Sequence, residues 1–210
     1  MAVRARELTE ANVSYTVGTM SERRDELLDA AIDWLAGNGV AGMSLRPLAS
    51  AIDTSPRLLI FHFKSKDGLL EAVMGELQRR LQASFMAMVA ALPPPPRESP
   101  MKTFWRWATN KANLPHLRIL YEAHFISLQN PGVFKDYLEK SPMAWTEIIE
   151  GSLPESIRSK AMATLCGAVF DGLVIEYISS GDLRRTTQSL DLFVEMLAAK
   201  AGVRLPPHRS

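Results

Sequence analysis

From Ser21 almost to the carboxyl terminus the apolar residues recur at helical spacing, and no stretch alternates as a strand would. Leu27, Leu28, Ala31, Ile32, Leu35 and Ala36 share one face at i, i+4, i+8 intervals, with Ser21 placed to cap that helix and the Gly37–Gly39 turn placed to end it. Ser44 can cap a second helix with Leu45, Leu48, Ala49 and Ile52 inward. After the Asp53-Thr54 break, Ser55 caps a third helix, with Pro56 at the first position, where its missing N–H costs nothing. A fourth helix, carrying Leu69, Leu70, Val73, Met74, Leu77 and Leu81, is predicted from about Ser65 to Ala91. PPPPRESP cannot continue it and is the clearest boundary in the chain. Further helices are expected over roughly 99–113, 115–130, 132–150, 154–180 and 186–201. No repeat of fixed period is present, and the predicted fold class is all-α.

Composition narrows what such a chain can do. At 210 residues, 47% hydrophobic, 22% charged and a formal net charge of +1, it has an ordinary globular profile. The near-neutral balance lends no global support to nucleic-acid binding, so any such function must rest on a local patch. Cys166 is the only cysteine, which excludes an intrachain disulfide and fits a reducing cytoplasm. Its simplest role is as a small buried apolar residue. Residues 1–20 contain no apolar run resembling a signal sequence, and no segment approaches the ~18 uninterrupted apolar residues of a membrane span. They are read as a weakly ordered arm. His62, His116, His124 and His208 lack metal-ligand spacing, and neither a Gly-rich phosphate loop nor HExxH nor GxSxG occurs. Neither catalysis nor a metal or cofactor is expected.

The stretch LRPLASAIDTSPRLLIFHFKSKDGLL (residues 45–70) carries the most information. A short helix, a three- to four-residue turn and a second short capped helix form a helix-turn-helix candidate. In such a unit the second helix enters the major groove and presents its amino-terminal residues to base edges. Here that end offers Pro56, Arg57 and Leu58, with Ile60 and Phe61 further along. Arg57 suits a bidentate contact to guanine, and the apolar side chains suit thymine methyls. Residues 21–70 hold six Lys/Arg and seven Asp/Glu. Affinity would then come from Arg46, Arg57, His62, Lys64 and Lys66, and it would be salt-sensitive through counterion release.

This segment resembles the tetracycline-repressor (TetR) family of transcriptional regulators over about fifty residues. An amphipathic first helix ends in a Gly-rich turn. Met43-Ser44 opens the second helix where the family usually has Thr-Ser, Ser55 opens the recognition helix, and His62-Phe63 and Ser65-Lys66 close it. The resemblance implies DNA contacts from Ser44, Arg46, Ser55, Pro56, Arg57, Leu58, Phe61, His62, Lys64 and Lys66, with Phe63 in the core and His62 and Lys66 on phosphates. Three positions depart from the family pattern: Asp53 stands where the turn often has Gly, Arg57 where the recognition helix often has Gly, and Ile60 where a tyrosine usually reaches a phosphate.

The same resemblance implies domains at 21–66 for DNA and 67–201 for ligand sensing and dimerisation, with a tail at 202–210. Double-stranded DNA carrying a pseudo-palindromic operator, a small, largely apolar effector and a second copy of the chain are the implied partners. In the second half, the stripe Leu117, Leu120, Tyr121, His124, Leu128 reads as core with a polar tip at His124. Phe104, Trp107, Tyr121, His124, Trp145 and Phe170 are candidate walls of a small-molecule pocket. Asp171 interrupts AVFDGLVIEY, so it must be paired, protonated or facing water, in a pocket, an interface or a structural hydrogen bond. The dimer interface is expected on the last two helices, from Ala161, Leu165, Ala168, Gly172 and Ile175 to Leu190, Phe193 and Leu197. Two functions stay open: a ligand-responsive regulator, here a repressor, or an all-helical binding module whose helix-turn-helix no longer reads DNA.

Overall fold

The fold comes from a computed structural model that describes residues 2–92, 98–131 and 145–202, with side chains from Met20 onward. Its described residues form helices and turns, without strands. In chain order the helices are α1 (Ala2–Asn38), α2 (Leu45–Ala51), α3 (Pro56–Phe63), α4 (Lys66–Ala90), α5 (Pro100–Ala108), α6 (Leu114–Gln129), α7 (145–152 as described), α8 (Lys160–Ser180) and α9 (Leu183–Ala201). A single 3₁₀ turn, Glu155–Ile157, precedes α8.

The chain divides into two compact units, Met1–Met74 and Gly75–Ser210. The division falls inside α4 rather than at its start, because the apolar run Leu69, Leu70, Val73 and Met74 is buried with the first unit. Prolines 93–96 lie outside the described residues, as do residues 132–144 of the predicted 132–150 helix.

In the first unit α1 buries the face read from its periodicity, Leu27, Leu28, Ala31, Ile32 and Leu35. It starts at Ala2, however, so Ser21 is not its cap and the expected arm is helical. The reason is local: residues 2–20 contain no proline, and Arg, Glu, Leu and Ala carry little helix penalty. Helix α2 ends in a Schellman motif. Thr54 N–H donates to Ala49 O at 2.9 Å, and Asp53 takes the left-handed position with φ 51°. Helix α3 begins as predicted, Ser55 Oγ accepting from Leu58 N–H at 3.1 Å and Pro56 following.

The second unit gathers its core from distant segments. Leu81 and Phe85 of α4, Phe104, Trp105 and Ala108 of α5, Leu117 of α6, Phe170 and Val174 of α8, and Leu190 and Val194 of α9 form one buried cluster. Leu153, Ile157, Ala163 and Cys166 form a second. Trp105 Nε1–H reaches Thr187 Oγ1 at 2.9 Å, giving the buried indole its partner. Gly181, at φ 70°, and the Asp182 cap set the α8–α9 hairpin. Two predicted helices start or stop elsewhere. Helix α5 ends at Ala108 because Asn113 Nδ2–H caps the Trp107 carbonyl. Helix α8 begins after Ser159, whose Oγ accepts from Met162 N–H, and not at Pro154.

Candidate functional site

Two places in the molecule combine exposed or partly enclosed chemistry with a built scaffold, one in each unit. The first is α3 and its flanks. The alternation in Phe61-His62-Phe63 resolves into opposite faces: Phe63 is 4% exposed and Phe61 is 54% exposed. His62 is half-buried between them, its ring 5.1 Å from Phe61 in a T-shaped contact. Arg24 of α1 lies 5.1 Å over the Phe63 ring, a cation–π contact that ties α3 to α1. Outward, Ile60 joins Phe61 in an exposed apolar pair.

Ser44, Arg46, Ser55, Arg57, Phe61, Lys64 and Lys66 are exposed, and Pro56, Leu58 and His62 are half-buried. All ten lie on the start of α2, on α3 and on the α3–α4 turn. The basic members differ from those of α1. Arg23 and Arg24 are spent on Glu26 and Asp25 of their own helix, whereas Arg46, Arg57, Lys64 and Lys66 form no ion pair among the described residues.

The turn that leads out of α3 is closely packed. Lys64 sits at φ 71°, and Ser65 Oγ accepts from Gly68 N–H at 2.9 Å to cap α4. A Cβ on Gly68 would stand 2.2 Å from the Phe63 carbonyl oxygen, so this approach requires glycine.

The second place is a cavity of about 570 Å³ within the second unit, in the range of small-molecule sites. Of the predicted walls, Phe104, Tyr121, His124, Trp145, Phe170 and Asp171 line it. Trp107 does not: its ring stacks on Phe104 at 5.4 Å, one layer away. Leu128 also turns outward, leaving the stripe that Leu117 and Leu120 continue. The sequence reading missed Phe85, Leu81 and Met101, because nothing local distinguishes a wall residue from a core residue of the same periodicity.

Tyr121 Oη donates to Asp171 Oδ1 at 2.8 Å. Asp171 keeps part of its surface open to solvent, yet desolvation on the cavity wall pushes its carboxyl up, against the Tyr121 hydrogen bond and the nearby His124, which pull it down. Glu98, also on the wall, is held below the usual carboxylate range by Arg106, which engages both of its oxygens. Cys166 lines the same cavity, and burial pushes its thiol up, away from reactivity. No group of three or more potential metal ligands occurs among the described residues.

The outer faces of α8 and α9 correct one part of the expected interface. Ala161, Leu165, Ala168, Gly172 and Ile175 are exposed along one stripe of α8. Leu190 is 1% exposed in the core, and Phe193 and Leu197 are half-buried against the second cluster. The outward apolar side chains of α9 are Leu192, 60% exposed, and Met196, 62% exposed. The outward apolar face of α9 thus lies on Leu192 and Met196 and not on the predicted Leu190, Phe193 and Leu197. By length and composition α8 is apolar enough to cross a membrane, although Asp171 and Glu176 interrupt it and Val174 and Phe170 are core.

Comparison with known proteins settles the kinship of the first unit. Residues 27–73 match the family model "Bacterial regulatory proteins, tetR family". Over those residues the chain is similar to the tetR family. Over nearly its whole length the chain is 25% identical to the HTH-type transcriptional regulator BetI of Paraburkholderia phymatum, covering 89% of the chain and 98% of that relative. Its fold is similar to that of a transcriptional regulator from Rhodococcus sp. Rha1, with TM-score 0.69, 18% identity and coverage of 88% and 99%. It is also similar to the multidrug binding protein EbrR complexed with imidazole, with TM-score 0.59, 23% identity and coverage of 89% and 93%.

Proposed function

We propose that the chain is a homodimeric transcriptional repressor that leaves its operator when a small molecule fills the cavity of the second unit. The observation that carries this reading is the surface of α3. Arg57 at its amino-terminal end, Arg46, Lys64 and Lys66 around it, and the exposed Ile60 and Phe61 supply phosphate contacts, a base-reading fork and apolar contacts together. Four cations that form no ion pair among the described residues, in a unit of near-balanced charge, are available for phosphates. The cytoplasm, where a bacterial chromosome lies, is the place for such a protein.

The effector half of the reading rests on the cavity, whose walls are aromatic and aliphatic with a few polar groups. The relative EbrR is described as a multidrug binding protein and was crystallised with imidazole and with ethidium. Dimerisation is supported by the apolar stripe Leu165, Ala168, Gly172 and Ile175 with Leu192 and Met196 beside it on the α8–α9 hairpin, a larger exposed apolar face than single surface residues account for.

Gel shifts with the DNA upstream of the protein's own gene, against random DNA of equal length, test the first half. The expected result is retardation of the upstream fragment at protein concentrations that leave random DNA free. Equal affinity for both, or no retardation of either, leaves an all-helical binding module in place of a repressor.

A further inference from the structure

The described lining of the cavity contains no lysine and no arginine. Its acidic groups are Glu98 and Asp171, and they are not equivalent. Glu98 already has a full cationic partner, with both carboxylate oxygens on the Arg106 guanidinium. Asp171 holds a tyrosine hydroxyl and faces His124, the single basic side chain of the described wall. The same cavity wall carries aromatic rings in contact with one another. Phe104 lies 4.9 Å from Phe170, 5.0 Å from Phe85 and 5.9 Å from Trp145.

A carboxylate among aromatic faces is a receptor for a particular charge. Ring faces carry the negative end of the aromatic quadrupole, so they attract cations and repel anions. Asp171 acts in the same sense, and in a partly desolvated site its field is weakly screened. An anionic ligand would meet both effects as repulsion, with no lysine or arginine on the described wall to offset them. A neutral apolar ligand would fill the space and leave Asp171 buried against it, which costs free energy.

We propose that the effector is an amphipathic organic cation, its charged nitrogen or equivalent centre placed beside Asp171 and its apolar body against Phe85, Phe104, Trp145 and Phe170. This rests on the reading of the cavity as the effector site. It adds the charge and chemical class of the ligand.

Two ions of matched shape and opposite charge test it: tetraphenylphosphonium and tetraphenylborate, titrated calorimetrically into the full-length protein at pH 8. The phosphonium should bind at least tenfold more tightly than the borate. Asp171→Asn should lower phosphonium affinity at least fivefold and leave the borate unchanged or improved. Equal affinities, a preference for the borate, binding of neither ion, or unchanged phosphonium binding by Asp171→Asn overturns the proposal.

Gel shifts with both ions separate this from the repressor reading. Phosphonium that binds in calorimetry yet never releases the upstream DNA leaves the cavity chemistry standing and removes the regulatory role. Release by the borate alone does the reverse.

Discussion

Asp53 occupies a left-handed backbone position, φ 51°, at the end of α2, and it does so without the freedom of glycine. Aspartate tolerates that region better than most residues, yet a non-glycine side chain there still carries strain on the order of 1 kcal/mol. Asp53→Gly should therefore stabilise the protein by about 0.5 kcal/mol after its greater unfolded-state entropy is counted, and Asp53→Val should cost about 1–2 kcal/mol. Urea denaturation of both variants checks the pair; a destabilising glycine would show that the aspartate side chain contributes more than its backbone costs. Asp171 presents the opposite case, a side chain whose charge is disfavoured in the native state. Its folded carboxyl titrates above the ordinary 3.8, so protonated Asp171 is fully accommodated below that value. This contribution is lost as pH rises through the raised folded value. Asp171→Asn cannot ionise and keeps an oxygen for the Tyr121 hydroxyl. In the unliganded protein at pH 7.5 it should raise Tm, the gain vanishing toward pH 3.8. A Tm difference that grows on acidification would contradict the burial argument.

At the scale of the element, α3 works because both its ends are fixed. Ser55 and Pro56 define its first turn, and the Lys64–Gly68 turn defines its last. Gly68→Ala would press a methyl group onto the Phe63 carbonyl, a backbone atom that cannot swing away. The expected cost is about 1–3 kcal/mol, as for other overpacking changes. Because the clash lies at the carboxyl end of α3, operator affinity should fall even at temperatures where circular dichroism shows the protein folded. Along α3 and its flank the cations have separable duties. Arg57→Ala should lose about 1–3 kcal/mol of operator binding with little change on random DNA, the mark of a base contact. Lys66→Ala should weaken both DNAs alike and reduce the slope of affinity against salt by about one. Titrations at several salt concentrations distinguish the two; matching losses on both DNAs for Arg57→Ala would reduce it to a phosphate contact.

For the whole molecule, the exposed stripe of α8 and the outer residues of α9 set the expected assembly. Gly172 has open space around its missing Cβ, so a side chain there starts outward without a clash against its own helix pair. A loss of assembly with the fold retained would then point to a partner. In a two-fold interface the substitution is felt twice, and two recognition helices must lie about 34 Å apart to read successive major grooves. Gly172→Arg and Met196→Glu should yield folded monomers by sedimentation and lose operator binding in gel shifts, although neither residue is on the DNA-facing unit. A Gly172→Arg protein that remains dimeric places the interface elsewhere.

What the sequence determined by itself is the punctuation of the fold. Ser55 with Pro56 starts α3, Ser44 stands at the cap position of α2, Gly181 ends α8, and the inward face of α1 from Leu27 to Leu35 is where its periodicity puts it. These signals act over three or four residues, through a cap hydrogen bond, a fixed φ or an i, i+4 repeat, so they are complete within the local sequence. The landmarks around His62 and Ser65 were legible for the same reason. Tertiary structure alone decided which of several equally apolar faces turns inward. Leu190 and Leu192 are the same residue two positions apart, and only the packing of α9 on its neighbours makes one core and the other surface. Phe85 and Trp107 exchange the roles that composition suggests, the first on the cavity wall and the second behind it. The cavity itself is drawn from α4 to α9, and an enclosed volume is a property of side chains meeting across helices, which no single helix period encodes.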